Sequence, residues 1–223
     1  TTRLCIDRLR SAAHQRETYM GQWLPEPVLG NPFPAPDAAA EQGSHLSIAF
    51  LALLERLSPE ERAAFLLHDV FDNSYTDIAR ALGKNEATCR QMVHRARERV
   101  RRPQPRFPVR EEERLRLVER FAAAVAVPDG PTLLSLFTED ISFTADGGGK
   151  VAAVLNVLHD AGKITRFLMG WAGKVKGQPL LRPTFLNGEP GLLLFIDGQL
   201  FSALAFYVAG NQIRGLYHIL NPD

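Results

Sequence analysis

The stretch S-Y-T-D-I-A-R-A-L-G-K-N-E-A-T-C-R-Q-M-V-H-R-A-R-E-R-V, residues 74–100, decides how the N-terminal half is built. Ser74 can cap a short helix over 75–82, because its side-chain oxygen accepts from an amide of the first turn that has no partner within the helix. Gly83 suits the left-handed residue that ends a helix, and Asn85 caps a second helix running about 86–102. On that helix Cys89, Met92, Val93, Ala96 and Val100 recur at helical spacing, so one stripe is apolar and faces a core. The opposite face carries Arg90, Gln91, His94, Arg95 and Arg97. A basic helix by itself is ordinarily a solvated face. Here a capped short helix, a glycine turn of the right length and the scarcity of acids on the second helix predict a helix-turn-helix, whose second helix enters the major groove of DNA.

In that geometry Arg90, Gln91, His94 and Arg95 occupy the turns that reach base edges or adjacent phosphates, and the cap Asn85 is expected among the DNA-binding residues. Lys84, Arg97, Arg99 and Arg101 are expected to hold phosphates, which adds affinity without sequence preference. Charge agrees with a local polyanion partner. Seven bases against two acids between Lys84 and Arg102 give that stretch +5, while the 223-residue chain totals +1, so the remainder is slightly acidic.

Two further helices precede this pair. Residues 47–57 are apolar and stop at Ser58-Pro59-Glu60-Glu61, where Ser58 caps, Pro59 fits the first helical position and Glu61 completes a capping box. The next helix carries Ala63, Phe65, Leu66, Val70 and Phe71. Upstream, residues 1–20 read as helical, and their abrupt Thr1-Thr2-Arg3 opening suggests the continuation of a longer chain. Prolines 25, 27, 32, 34 and 36 make 21–45 an extended linker. Within it Trp23-Leu24-Pro25-Glu26-Pro27 is too apolar for solvent and is expected to dock on a surface.

Beyond a second proline-bearing linker, 103–110, the pattern becomes α+β. Val118, Phe121, Ala122 and Val125 have helical spacing, and a short helix follows Asp129-Gly130-Pro131. Ile141, Phe143 and Ala145 alternate as in a half-buried strand. Helical stretches are expected over 151–158 and 164–171. Four strand-like runs then follow, divided by Asn187-Gly188, Asp197-Gly198 and Gly210-Asn211, which are hairpin turns and imply a largely antiparallel sheet.

Composition excludes several classes. No apolar run reaches the ~18 residues of a membrane span, and the opening residues lack a secretion signal, so a cytoplasmic protein is expected. Cys5 and Cys89 sit far apart at apolar helical positions, as reduced packing residues rather than metal ligands, and no metal or cofactor is expected.

L-S-P-E-E-R-A-A-F-L-L (57–67), S-Y-T-D-I-A-R-A-L-G (74–83) and T-C-R-Q-M-V-H-R-A-R (88–97) together resemble region 4 of extracytoplasmic-function (ECF) sigma factors. The opening T-R-L-C-I-D-R-L-R (2–10) resembles the end of region 2. W-L-P-E-P (23–27), D-G-G-G-K (146–150) and N-P-D (221–223) resemble the SigJ-type subgroup with a fused SnoaL-like C-terminal domain. One departure is Cys89, where the family often has Val. The resemblance implies a multidomain α and α+β chain: 1–20 the end of region 2, 21–45 a linker, 46–102 the region 4 helix-turn-helix, 103–110 a linker, and 111–223 a cone-shaped SnoaL-like α+β domain. It implies core RNA polymerase and promoter DNA as partners, with region 4 on the minus-35 element. It also implies a contact between Trp23, Leu24, Pro25, Glu26 and Pro27 and the loop Asp146, Gly147, Gly148, Gly149 and Lys150, through which the C-terminal domain modulates activity. Replacing Asp146 and Lys150 is expected to alter promoter output with little change in melting temperature.

Two other function classes compete. A ligand in a C-terminal pocket could control an ordinary helix-turn-helix regulator. Some SnoaL-like relatives are polyketide cyclases or isomerases, which need an Asp or His of shifted pKa in an apolar pocket. Asp146, His159, Asp160 and His218 are the candidates, but none sits in a recognisable spacing, and His159 reads as the cap of a helix end. Asp146-Gly147-Gly148-Gly149-Lys150 lacks the spacing of a phosphate loop, since Val151 follows Lys150. A non-enzymatic regulator is the expected reading.

Overall fold

The computed structural model describes residues 4, 22, 24–30, 47–100 and 110–220. The expectations for 1–20, including Cys5, for Trp23, for Arg101 and Arg102, for most of both linkers and for 221–223 lie outside the described residues. The chain divides into two compact units. Of the described residues, one holds 52–100 and the other 24–30, 47–51 and 110–220.

α1 (Ile48–Leu54) crosses the division between Leu51 and Ala52, and α2 (Pro59–Phe65) follows in the first unit. The capping box is as expected: the Glu61 amide donates to Ser58 Oγ at 3.3 Å, and the Ser58 amide donates to Glu61 Oε2 at 3.1 Å. The helix expected to continue through Phe71 instead loosens into a π-helical turn, Leu66–Val70, where the Phe71 amide reaches back to the Leu66 carbonyl. The extra residue in this turn rotates the face, so Val70 and Phe71 are exposed rather than buried. Next come α3 (Tyr75–Leu82) and α4 (Glu86–Val100). Ala64, Ile78, Cys89, Met92 and Val93 form the core where α2 and α3 meet α4. Burial pushes the Cys89 thiol pKa up, as expected for a packing cysteine.

The other unit is a seven-stranded sheet with helices. α5 (Glu111–Ala126) and α6 (Gly130–Leu136), capped by Asp129, precede β2 (Phe137–Asp146). β3 (Leu158–His159) and α7 (Ala161–Ala172) follow, then β4 (Pro179–Leu186), β5 (Glu189–Ile196), β6 (Gln199–Ala209) and β7 (Gln212–Ile219). The order is β1-β4-β5-β6-β7-β2-β3, where β1 is Leu29–Gly30. Every pairing is antiparallel except β2 with β7. Asn187 and Asp197 adopt positive φ (51° and 52°), as hairpin turns require. One apolar core joins Phe121, Leu133, Ile141, Phe143, Ile164 and Leu216.

The helix expected over 151–158 is absent. Val151 and Leu155 are exposed while Ala153, Val154 and Leu158 are only partly buried against the core, so the apolar stripe is covered on one part alone, and Val151, Val154 and Val157 are β-branched and poor at holding a helix by themselves. With that helix gone, His159 caps nothing. It pairs with Ser142 in β3, and Asp160 is the residue that caps α7, accepting from the Lys163 amide at 2.8 Å.

Candidate functional site

The helix-turn-helix is built by its caps. Ser74 Oγ accepts from the Asp77 amide at 3.2 Å, Gly83 holds φ 65°, and Asn85 Oδ1 accepts from the Thr88 amide at 2.8 Å. Cys89, Met92, Val93 and Ala96 are buried on one side of α4. Arg90, Gln91, His94, Arg95 and Arg97 are exposed on the other.

The basic residues separate into two groups. Arg97 donates through Nε and Nη2 to both carboxylate oxygens of Asp69, at 2.8 and 2.7 Å. Arg99 bonds the capping acid Glu61 at 2.6 Å, and Lys84 lies 2.9 Å from Glu60. These three cations, read in the sequence as phosphate holders, clasp acids of α2 and of the π turn and brace α4 and the turn before it against their neighbours. Their partners lie far away in sequence, so spacing along α4 did not reveal them. Towards the N-terminus of α4, Arg90 Nη2 bonds Glu86 Oε2 at 2.7 Å, and its guanidinium lies 5.1 Å from the Tyr75 ring centre. Thr76 Oγ1 donates to Glu86 Oε1 at 2.7 Å. That hydrogen bond, together with Arg90, holds the Glu86 carboxyl below its ordinary pKa. His94 Nδ1 is 3.9 Å from Glu98, whereas Gln91 and Arg95 make no side-chain bond within the described residues.

The second constellation is in the other unit. Asp146 is buried at the end of β2. Its Oδ2 accepts from the Leu24 amide and its Oδ1 from the Gly148 amide, both at 2.7 Å. Leu24 and Pro25 are buried, Pro27 is half-buried and Glu26 is exposed. A Cβ on Gly147 would lie 2.0 Å from the Val151 carbonyl oxygen, and Gly148 and Gly149 hold positive φ of 60° and 73°. The glycines therefore serve a tight turn. The Lys150 and Val151 amides donate to the Gly147 carbonyl at 3.0 Å, so they are not aimed at a phosphate.

Sequence reasoning missed Asn187. It is buried, its Oδ1 accepts from the Val28 amide at 2.9 Å, and its own amide donates to the Val28 carbonyl at 2.8 Å. Asn187-Gly188 is fully accounted for as a turn, so nothing in the sequence pointed to this second role. Beside it β1 pairs with β4, so part of the expected linker is an edge strand. Burial also changes an expectation. Removing the Asp146 carboxylate leaves two amides without their acceptor, which lowers stability.

The four catalytic candidates do not converge. Asp146 and His218 lie on strands in parallel register, where Ala145 faces His218 and Asp146 faces Ile219, so their side chains point to opposite sides of the sheet. His218 Nε2 is 2.8 Å from Ser202 Oγ, and desolvation pushes its pKa down to about 4. A cleft of about 140 Å³ is lined by apolar residues including Val125, Trp171, Val175, Leu181 and Leu194. Among the described residues no cluster of His, Cys, Asp and Glu could hold a metal ion, and no helix is long and apolar enough to cross a membrane.

Residues 47–100 match the family described as Sigma-70, region 4. The chain is 37% identical over 239 residues to ECF RNA polymerase sigma factor SigJ of Mycobacterium tuberculosis, spanning 100% of this chain and 75% of that one. It is 27% identical over 226 residues to the probable ECF RNA polymerase sigma factor SigI of the same species, again 75% of that protein. The crystal structure of M. tuberculosis SigJ superposes with a TM-score of 0.75 at 32% identity, covering 99% of this chain and 78% of that one. The fold class is therefore the expected one, a helical region 4 followed by a SnoaL-like α+β domain. Its helix-turn-helix, its C-terminal sheet and its likeness to a relative along the whole of its length make the chain a member of the ECF RNA polymerase sigma factors.

Proposed function

We propose that the exposed face of α4 reads the minus-35 element of a promoter while the protein is bound to core RNA polymerase, and that the C-terminal unit modulates this activity without catalysing a reaction. The reading is carried by the division of α4 into a sealed apolar stripe and an outward stripe of Arg90, Gln91, His94 and Arg95. A helix docks in a major groove with one face anchored and the other polar. Promoter recognition places the protein in the cytoplasm.

Modulation runs through the strap made by Leu24–Gly30, which Asp146 and Asn187 hold to the sheet. The apolar lining of the 140 Å³ cleft supports a second route, a small apolar ligand acting on the same unit. Full-length protein should capture core polymerase, and a form ending near Pro108 should give a promoter output different from the intact protein. Failure to capture polymerase removes the sigma-factor function, and equal outputs remove the modulating role.

A further inference from the structure

We infer that Arg90 is a sequence-reading residue of α4, and that Glu86 and Tyr75 are positioning residues which hold its guanidinium plane ready for a guanine edge. This rests on the reading that α4 enters the major groove.

Arg90 differs from the other cations of the region in what its donors are doing. Arg97 has spent two N–H groups on Asp69 in a fork-to-fork pair, Arg99 is tied to Glu61, and Lys84 to Glu60. Arg95 makes no side-chain bond within the described residues, so its long side chain must lose rotamer freedom when it binds. Arg90 is held and yet has capacity left. A guanidinium carries five donor hydrogens, and the only hydrogen bond from Arg90 among the described residues is from Nη2 to Glu86.

A Glu–Arg pair four residues apart is common on helix surfaces and alone would mean little. Here the support extends to the preceding helix. Thr76 fixes the other oxygen of Glu86, and the Tyr75 ring lies under the guanidinium at 5.1 Å. Tyr75 itself packs against His68, the rings tilted by 41° with centroids 4.2 Å apart, and His68 Nδ1 is 3.1 Å from the Asn73 carbonyl oxygen. Groups from α3 and from the turn before it thus restrain one exposed arginine from two sides. A planar fork held in place is what bidentate contact with guanine O6 and N7 requires, whereas phosphate binding tolerates a swinging charge. Arg90 also stands near the N-terminus of α4, the part of such a helix that reaches base edges.

The test is transcription by full-length protein and core polymerase on a barcoded pool of templates with a randomised minus-35 element. The wild type should favour guanine at one position by about tenfold. Arg90→Lys, which keeps the charge but not the fork, should abolish that preference and leave the other positions as they were. Glu86→Gln and Tyr75→Leu should each weaken the same preference several-fold, again with the other positions unchanged and with the thermal melt of each variant confirming that it is folded. An unaltered profile for Arg90→Lys, or a Glu86→Gln or Tyr75→Leu profile unaltered or flattened at all positions alike, overturns the inference while leaving promoter recognition by α4 standing. Wild-type transcription with no base preference in the element removes both.

Discussion

His218 is a base held in a setting that disfavours its charge: desolvation lowers its pKa to about 4, from an ordinary value near 6.5. Between those values the unfolded chain binds a proton that the folded chain refuses, so the contribution is fully present above about pH 6.5 and is lost as pH falls towards 4. The shift corresponds to at most about 3 kcal/mol, since the ring is only half-buried. Thermal melts of the protein should hold steady above pH 7 and fall through this window. His218→Gln, which can keep a hydrogen bond to Ser202 but does not titrate, should flatten that slope, and an unchanged slope would assign the acid sensitivity elsewhere. Which side chain faces which could not be read for this residue. The alternation of β7 was visible, but the pairing of Ser202 with His218 depends on the register of two strands, which no local pattern sets.

At the level of elements, what was legible followed from local chemistry. The Ser58 capping box, the Ser74 and Asn85 caps, Gly83 at φ 65° and the Asn187-Gly188 and Asp197-Gly198 turns each depend on a few adjacent residues, and each is present. What was not legible depends on contacts across the fold. Apolar spacing over 151–158 suggested a helix, but spacing cannot reveal how much of the stripe the core covers. The cations of α4 were readable as a basic face, while their acids on α2 and the π turn were not. The strap was expected to dock, and its attachment at Asn187 was hidden behind a sufficient local explanation.

That attachment gives a prediction which separates turn from strap. Asn187→Gly keeps the left-handed turn and the backbone bond to the Val28 carbonyl but loses the side-chain bond from the Val28 amide, at a cost of about 1 kcal/mol. Asn187→Ala loses that side-chain bond and the left-handed turn, and should cost about 1–3 kcal/mol more. If only the strap modulates activity, both variants should shift promoter output equally despite their different melting temperatures. Output that tracks stability instead would assign the effect to folding.

For the whole molecule, family membership and local physics converge on the same face of α4. Region 4 likeness covers residues 47–100, and within them the sealed stripe and the braced cations leave Arg90, Gln91, His94 and Arg95 outward. The C-terminal unit contributes a sheet, an edge strand and an apolar cleft, with Asp146 and His218 on opposite faces of the sheet. The most direct test replaces Gln91, His94 and Arg95 together with Ala and measures run-off transcription from a cognate promoter by full-length protein with core polymerase. These side chains are exposed and, among the described residues, have at most a long ion pair to lose, so the fold and polymerase capture should be unaffected. Transcription should fall at least tenfold, on the order of the loss of one or more base contacts. Transcription at the wild-type level would contradict promoter reading by this helix.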